Sequence, residues 1–523
     1  MTEHRIINQL DELINIGIAI SSEDNQAKLL QEILEGAIKI TGSDGGTLYL
    51  VKGDSMTMEI VQSRTLDISL GGISGNSVDM PVIPLFLSDG AKNYANVVTC
   101  TYHNNEPINI VNAYTDQRFD FSGTKKFDQL NNYRSQSFLA MPMKNHEGDT
   151  IGVLQLINAM DNISGGIIGF DDVSQRFTEA LASLAAIVLT KQHLINDLEN
   201  MFESLIQLIA TAIDDKSPYT GGHCRRVPEL TLLLAEAAHN TQEGYLKDFV
   251  MTDKDRYELK IAGWLHDCGK IITPEYVVDK STKLETIFDR IELIETRFEV
   301  LKRDAEIEML KQAALSPDKV VEIDKAYQEK ISQIEDDFQF IKKSNTGGEF
   351  MHKGDQERIE AMRNENWKLS NETVPLLSKN EADNLTIQRG TLTGEERAII
   401  NHHIDATITM LGKINFPKHL INVPEYAGGH HERMDGNGYP NGLKREDMSV
   451  QARSMAIADI FEALTAKDRP YKKGKKLSES IAILGKMKEE NHVDPDLFDA
   501  FIKEKVYLNY ANTFLDSYQI DMS

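Results

Sequence analysis

The chain has 523 residues, too many for one hydrophobic core, because such cores stop growing near about 250–300 residues. Its formal net charge of −25 excludes a protein that coats nucleic acid through a broad basic face, but not the binding of a small anion. We find no apolar run near the roughly 20 residues that cross a bilayer, and no signal peptide. The three cysteines form no CxxC pair. We therefore expect a cytoplasmic protein of two or three domains, with neither a nucleic acid polymer nor a membrane as partner.

Residues 1–175 mix helical and strand patterns. Residues 29–40 carry apolar side chains at helical spacing, and residues 45–53, GGTLYLVKG, are a β-rich run that ends at a glycine. Residues 137–158 contain two strand-like runs joined by the turn-forming sequence His146–Asp149. This order of helix, strand and hairpin predicts an α+β sensor domain.

The hairpin sequence SFLAMPMKNHEGDTIGVLQLIN, residues 137–158, resembles the central hairpin of GAF domains. The resemblance covers residues 10–190 and implies a sensor role, but leaves the GAF ligand unknown. The GAF domains that bind cyclic nucleotides carry an NKxxF…DE signature. This chain lacks the lysine and has Asn158, Phe170, Asp171 and Asp172 in that region. A dimerising scaffold that binds no ligand is the alternative.

Almost all of the chain after residue 175 has helical patterns, which include two unusual stretches. Residues 176–215 contain no proline and predict a helix that connects sensor to effector, and two such helices side by side would form a homodimer. A helix packed only on its own domain is the alternative. Residues 281–390 form a charged insertion, in which apolar residues recur three and four apart on both sides of Ser316-Pro317. This spacing predicts an antiparallel, coiled-coil-like helical hairpin, followed by a polar segment with a loop at NTGGEF.

Histidines cluster in short segments of the helical part. Six of the 14 histidines lie there: His223, His266, His402, His403, His430 and His431. Asp267 follows His266 directly, and Asp459 lies in the segment AIADIFEAL. A single buried histidine is usually a core residue, but this clustering indicates a metal centre. Nitrogen and oxygen ligands without cysteine suit iron, manganese, nickel or magnesium better than structural zinc.

These segments resemble the HD superfamily of phosphohydrolases, and within it the HD-GYP proteins. The defining string HHExxDGxGYP is unbroken at residues 430–440. The resemblance spans residues 205–510 and includes HDxGK at 266–270, LTxEE…H at 392–403 and ADxF…RPY at 458–471. It implies an all-α HD-type domain, interrupted by the insertion, and a phosphodiesterase that opens cyclic di-GMP to pGpG or onward to GMP.

The resemblance also implies a set of metal ligands. They fall on His223, His266, Asp267, His403, His430, His431 and Asp459. Asp267 would bridge two divalent metal ions, for which iron is the first choice. The spacing from Glu395 and Glu396 selects His403 over His402. Some relatives carry a ligand for a third metal where this chain has Tyr219, so we expect two metals. Glu462 stands where many relatives have aspartate, which keeps the charge.

Asp267 and Lys270 are the expected catalytic residues. Two metal ions can lower the pKa of a water between them enough to attack a phosphodiester. Lys270 lies four residues after His266, which on a helix is the same face, and could stabilise charge on the phosphoryl oxygens. A solvent-exposed lysine at a helix end is the alternative.

The expected substrate-binding residues follow from the same resemblance. The GYP loop, Gly438, Tyr439 and Pro440, would lie beside the substrate, where the ring stacks on a guanine, or would be a structural turn. Arg469 and either Lys472 or Lys473 offer cations for the second phosphate.

Three functions stay open. The first is hydrolysis of cyclic di-GMP under control of the GAF-like domain, and a complete ligand set favours it. The second is a catalytically idle protein that binds a cyclic dinucleotide or a GGDEF synthase. The third is hydrolysis of another phosphate ester, because pocket walls rather than the fold determine the substrate. Cyclic di-GMP and mixed guanine–adenine dinucleotides are not separated by the sequence.

Overall fold

The computed structural model divides into two compact units, Met1–Met201 and Phe202–Ser523. The structure describes residues 2–23, 25–161, 163–216, 222–348, 350–370, 372–466 and 474–522, and their side chains apart from those of residues 2–6, 8 and 22. No helix in this part of the chain combines the length and the apolar composition needed to cross a bilayer.

The N-terminal unit is an antiparallel sheet with helices. Its helices are α1 (Thr2–Ser22), α2 (Gln26–Thr41), α3 (Val97–Asn104) and α4 (Ser122–Asn131). Its strands are β1 (Ser43–Lys52), β2 (Ser55–Ser63), β3 (Ile68–Gly71), β4 (Ile83–Pro84), β5 (Ile108–Ile110), β6 (Phe138–Lys144), β7 (Thr150–Met160) and β8 (Ile167–Ile168). The sheet order is β3-β2-β1-β7-β6-β5, with β4 beside β2 and β8 beside β7.

The local sequence explains the central elements of this unit. The side chain of Asn25 caps the first turn of α2, and Gly42 ends that helix with a φ of 66°, which glycine adopts without strain. In the hairpin of β6 and β7, the Asn145 side chain accepts hydrogen bonds from the backbone N–H groups of Glu147 and Asp149. The predicted α+β fold with its helix, strand and hairpin is thus confirmed.

Asn158, at the end of the hairpin motif, holds the sheet to the preceding loop. Its φ is 56°, its side chain is buried, and its Oδ1 accepts from the N–H groups of Gln136 (2.7 Å) and Ser137 (3.2 Å). Its Nδ2 donates to the Arg134 carbonyl (2.8 Å) and the Tyr133 hydroxyl (3.0 Å). Asn158 therefore has a structural role, although it belongs to the partial cyclic-nucleotide signature.

A cavity of about 390 Å³ lies in this unit beside β1, β2 and β6. Val97, Phe121, Phe138 and Ile157 are among its apolar lining residues. Its described lining contains no lysine, arginine or histidine, and Asp120 is the charged residue there. The lining therefore offers no cation to the phosphate of a cyclic nucleotide.

The helix α5, Asp172–Lys216, is continuous over 45 residues and contains the predicted connecting helix. It begins in the N-terminal unit, where Leu181 and Ala185 are buried in the core. It ends in the C-terminal unit, where Ile206 and Ile213 belong to that unit's core.

The C-terminal unit is mainly helical, as predicted. Its helices are α6 (His223–His239), α7 (Asp253–Leu265), α8 (Glu275–Val278), α9 (Ile291–Leu315), α10 (Val320–Asn345), α11 (Lys353–Arg363), α12 (Lys379–Leu385), α13 (Gly394–Asn401), α14 (His403–Leu411), α15 (Val423–Gly428), α16 (Val450–Thr465), α17 (Leu477–Glu489), α18 (Pro495–Lys503) and α19 (Val506–Phe514). A short hairpin of β9 (Asn366–Leu369) and β10 (Glu372–Pro375) completes it.

The insertion, residues 281–390, begins with an antiparallel hairpin of α9 and α10. Phe298 packs on Phe338 with ring centroids 5.5 Å apart, and Lys302 lies 4.0 Å from Glu335. The segment after α10 is more ordered than its polar composition predicted. The reason is a small separate core, to which it contributes Met351, Ile359, Met362, Leu376, Leu377, Ala382 and Leu385.

We predict that Asn158→Ala destabilises the N-terminal unit by about 3 kcal/mol, because it leaves three partly or fully buried backbone groups without their partner. Chemical denaturation followed by circular dichroism measures the effect. The matched control is Asn132→Ala: Asn132 also has a positive φ, 49°, but is exposed at the end of α4. Equal losses in both variants would show that only the backbone conformation matters.

Candidate metal centre

The predicted metal ligands lie at or near the ends of helices. His223 is the first residue of α6 and His403 the first of α14, whereas His266 follows the last residue of α7. His430 and His431 come shortly after α15, and Asp459 lies within α16. Helix ends bring side chains from distant parts of the chain to one place while each helix body packs in the core.

These side chains form two adjacent groups of three. The first contains His223, His266 and Asp267, and the second contains His403, His430 and His431. Within each group the ligand atoms lie within 4.8 Å of one another. His402, by contrast, is exposed, and its Nδ1 lies 3.2 Å from Asp405.

Asp267 belongs to the first group but also reaches the second. Its Oδ2 is 3.1 Å from His223 Nε2 and 3.3 Å from His266 Nε2, and its Oδ1 is 3.2 Å from His403 Nε2. Asp459 Oδ1 is 3.3 Å from His223 Nε2, on the first group's side. The two oxygens of Asp267 therefore face different histidine groups, and this residue would help to hold cations at both.

Four histidines direct Nε2 into the site, because Nδ1 is engaged outside it. In His266, His403 and His430, Nδ1 lies 2.7, 2.5 and 2.7 Å from the carbonyl three residues earlier. A carbonyl only accepts, so Nδ1 carries a proton and Nε2 is the nitrogen left to face a cation. In His223, Nδ1 lies 2.5 Å from Glu462 Oε2. Such outer partners fix the orientation of metal-binding histidines.

Gly269 permits the close approach of the two groups. A Cβ at this position would lie 1.9 Å from the His403 carbonyl oxygen, so only glycine fits. Its N–H donates to Thr407 Oγ1 at 2.9 Å, which ties the segment after Asp267 to α14. The glycine of the HDxGK string therefore sets the distance between Asp267 and His403.

Lys270 does not share a helical face with His266, although the four-residue spacing predicted that it would. The helix α7 ends at Leu265, and Lys270 lies on a 3₁₀-helix, Cys268–Ile272, so the predicted shared helical face is wrong. A 3₁₀-helix has three residues per turn, which stacks positions three apart. Lys270 Nζ accordingly donates to Asp267 Oδ2 at 2.6 Å.

The electrostatics of the site favour cation binding. Burial opposes ionisation of Asp267, but Lys270 and His266 hold the pKa of its carboxyl well below the usual range. Burial, with the charge of His431, holds the pKa of His430 well below its usual value, and burial lowers the pKa of His431 to about 4. Burial also lowers the pKa of His266, but Asp267 outweighs it and raises the value to about 9. Metal uptake would therefore displace a proton from His266.

Three buried atoms at the centre of the site have no hydrogen-bond partner. They are Asp267 Oδ1, His403 Nε2 and His430 Nε2. Asp267 Oδ1 and His403 Nε2 are close, but with Nδ1 protonated both present lone pairs. Unpaired polar groups are costly in a buried place, and divalent cations would satisfy all three at once. The residues therefore fit the divalent metal binding that the HD-type sequence implies.

The structure also identifies supporting residues that the sequence analysis did not assign. Glu462 accepts from Arg226 Nε at 2.7 Å as well as contacting His223, so the pair fixes the first ligand. The buried Glu432 accepts from the N–H groups of Asn441 (2.7 Å) and Leu443 (3.0 Å). Glu432 is the glutamate of the HHE string, and it holds the GYP loop.

The GYP loop lies against the second group. The Tyr439 ring stacks on His431 with centroids 4.9 Å apart, and Gly438 lies so close to Glu432 that a Cβ would come within 2.5 Å of its Cα. The bond from Tyr439 to Pro440 is cis. Tyr439 thus borders the site from a tightly packed loop.

Several predicted residues lie outside the described part of the chain. These are Tyr219, Arg469, Lys472 and Lys473. The site is therefore described without the segment predicted to contact the second phosphate.

Comparison with known families agrees with this architecture. The GAF domain profile matches residues 26–189, and the profile of an HD domain matches residues 380–497. The chain contains a GAF domain and an HD domain. This confirms the predicted GAF-like domain and the predicted HD-type domain. The HD match includes the second group of ligands and Asp459, whereas His223, His266 and Asp267 precede it and join the site in the fold.

Relatives of the HD-containing chain include enzymes of cyclic dinucleotide turnover. It is 38% identical over 145 residues to a probable cyclic di-GMP phosphodiesterase of Vibrio cholerae, covering 26% of this chain and 31% of that protein. It is 40% identical over 115 residues to a cyclic di-GMP phosphodiesterase of Pseudomonas aeruginosa, covering 22% and 26%. A 3′3′-cGAMP-specific phosphodiesterase of Vibrio cholerae is 36% identical over 116 residues, covering 22% and 24%. The chain thus spans under a third of the length of these relatives.

We predict that His403→Ala lowers affinity for divalent metal by more than the roughly 10–100-fold that loss of an outer partner costs, because it removes a ligand. Metal content after equilibration in a metal buffer, measured by mass spectrometry, reports the loss. His402→Ala is the control, since it removes the adjacent, exposed imidazole. Equal metal loss in both variants, or none in His403→Ala, would contradict the ligand assignment.

Proposed function

We propose that this chain is a metal-dependent phosphodiesterase that hydrolyses cyclic di-GMP to pGpG, or onward to GMP. The observation that carries the proposal is the carboxylate of Asp267 between two histidine groups, with three lone-pair atoms unpaired around it. The unbroken GYP string borders the same site through Tyr439. The activity of the relatives supports this choice of substrate, and the intact ligand set argues against a catalytically idle protein.

The proposed cofactor is a pair of divalent metal ions, with iron as first choice and manganese, nickel or magnesium as alternatives. The described ligands are nitrogen and oxygen atoms, which suit these metals. Cys268 is next to Asp267, but burial raises the pKa of its thiol to about 11. A protonated thiol is a poor metal ligand, so the cysteine does not turn the site into a zinc–thiolate centre.

The mechanism assigns a separate role to each nearby side chain. Bound divalent ions would lower the pKa of a water and polarise the phosphoryl oxygens. Asp267 and the histidines would hold the cations, and the outer carbonyls and Glu462 keep Nε2 of four histidines directed into the site. Burial disfavours the charge of Lys270, but Asp267 outweighs this effect and raises its pKa above the usual value. Lys270 therefore stays cationic, and it would stabilise phosphoryl charge rather than accept a proton.

The substrate preference has one alternative, a mixed guanine–adenine cyclic dinucleotide. The relative from Vibrio cholerae that is specific for 3′3′-cGAMP favours it. Both substrates have two phosphates and could stack a base on Tyr439, so both fit the same site. Arg469 and Lys472 stay our candidates for the second phosphate.

We predict that Asp267→Ala reduces the hydrolysis of cyclic di-GMP to background, because it removes the carboxylate between the two groups. The assay uses anaerobically purified protein with bound metal quantified, and separates pGpG and GMP by chromatography. Asp405→Ala, a change on the exposed side of α14, is the matched control and should keep full activity. If the wild-type protein holds metal but cleaves only 3′3′-cGAMP, the alternative substrate replaces cyclic di-GMP. If it cleaves neither, the binding-only function or another phosphate ester takes its place.

We further infer that the chain is a homodimer in which α5 pairs with its copy, and that the GAF domain regulates the enzyme through this helix. The apolar residues Leu194, Leu198, Met201, Leu205 and Leu208 are spaced four and three apart. Each is more than half exposed, although together they form the heptad seam of a two-stranded coiled coil. A second copy of the same seam would cover them. A GGDEF protein as a further partner, and a cytoplasmic location, stay predictions.

We predict that the double variant Leu198→Lys/Leu205→Lys converts a dimer into a monomer, because it places charges in the seam. Light scattering coupled to size-exclusion chromatography measures the mass. Asn196→Lys/Gln207→Lys adds the same charges to the opposite side of the helix and should leave the dimer intact. If the Leu198→Lys/Leu205→Lys variant stays a dimer and the Asn196→Lys/Gln207→Lys variant does not, the interface lies elsewhere.

A further inference from the structure

We propose that Asp214 and Lys216, in the last turn of α5, are positioning residues that hold both flanks of the metal centre and let α5 regulate it. The expected effect on activity rests on the proposed hydrolysis of cyclic di-GMP. The positioning of the ligand-bearing segments does not depend on it. Neither residue belongs to the predicted ligands, and neither contacts a ligand side chain in the hydrogen bonds described below.

Lys216 holds the segment that carries Lys270. Its Nζ donates to the carbonyl oxygens of Lys270 (3.0 Å), Ile271 and Thr273 (2.6 Å). Those carbonyls belong to the 3₁₀-helix Cys268–Ile272 and the residue after it. Three acceptors match the three donors of an ammonium group, so Lys216 acts as a clamp rather than as a phosphate ligand.

Asp214 holds the segment that carries His223. Its Oδ2 accepts from the N–H of Gly222 at 3.0 Å, and its Oδ1 accepts from the N–H of Cys224 at 3.2 Å. The helix α6 begins at His223 after Gly222, which has no side chain to cap it. The first N–H groups of a helix need outside acceptors, and Asp214 supplies them from α5.

The two contacts act on opposite flanks of one ligand group. Asp214 fixes the backbone on either side of His223, and Lys216 fixes the backbone after Asp267, including Lys270. His223 Nε2 and Asp267 Oδ2 are only 3.1 Å apart, so a shift of either segment changes the distance between two ligand atoms. Since α5 also runs into the GAF domain, displacement of this helix is a direct way to alter the metal centre.

The first experiment compares Asp214→Asn, Lys216→Met and Lys216→Arg with Asp215→Asn. Asp215 is the adjacent, exposed carboxylate and provides the matched control. Hydrogen–deuterium exchange should accelerate at residues 222–226 in Asp214→Asn and at residues 268–273 in Lys216→Met. Metal loss to a chelator should be roughly 10–100-fold faster in both, as for other outer partners of metal sites. Lys216→Arg, which keeps charge and donors, should restore most of the retention.

Activity is the second readout. In metal-saturated protein, kcat for cyclic di-GMP should fall by roughly 10–100-fold in Lys216→Met while KM changes little, because the geometry of the centre changes and not the substrate contacts. A purely structural role would instead lower the melting temperature and leave metal loss and kcat of the folded fraction unchanged. If Asp214→Asn and Lys216→Met match Asp215→Asn in exchange and metal loss, the inference is overturned.

Regulation through α5 needs a change outside the metal centre. Insertion of one alanine after Glu199 rotates the two parts of α5 by about 100° relative to each other, whereas seven alanines nearly restore the phase. We expect kcat to change at least about fivefold with one alanine and to return toward the wild-type value with seven. If kcat is the same with one inserted alanine as with seven, regulation through the helix is overturned. A wild-type protein that cleaves no cyclic di-GMP would refute the proposed function, while exchange and metal loss would still test the positioning roles.

Discussion

The carboxylate of Asp267 is the constraint on which the C-terminal unit depends. It is buried and ionised, so its charge must be balanced inside the protein. Lys270 supplies one nearby cation, but Oδ1 has no hydrogen-bond partner and faces an imidazole that also presents a lone pair. Divalent cations would satisfy these lone pairs and balance the buried charge. The helix ends around Asp267 place the atoms that would hold them.

The outer contacts show how the chain keeps such a site rigid. Three histidines donate Nδ1 to the carbonyl three residues earlier, so the end of each local helical turn orients its own ligand. Among these four histidines, only His223 lacks such a carbonyl. In the described contacts its Nδ1 is paired with the carboxylate of Glu462 instead. Local backbone geometry therefore orients three ligands, whereas a distant side chain orients the fourth.

The sequence was most informative where chemistry is local. The GAF hairpin, the long helix α5 and the hairpin of α9 and α10 followed from spacing, and the choice of His403 over His402 followed from a motif. The sequence could not reveal Glu462 beside His223, because 239 residues separate them and no pattern links them. It also misplaced Lys270, because four-residue spacing implies a shared face only while the helix continues past Leu265. The small core after α10 was missed because its apolar residues are scattered among polar ones.

Two elements outside the metal centre contact the segments that carry ligands rather than the ligand side chains themselves. The end of α5 does so at His223 and after Asp267. The root of the insertion does something similar, because the buried Lys280 pairs with Glu396 at 2.7 Å, on the helix that precedes His403. Glu396 also caps that helix through the N–H of Thr393. Such contacts leave the inner lone pairs free for cations, and they make each ligand's position sensitive to a neighbouring element. The proposed regulation through α5 requires this kind of contact, because it acts on the segments that carry His223 and Asp267 without occupying a ligand atom.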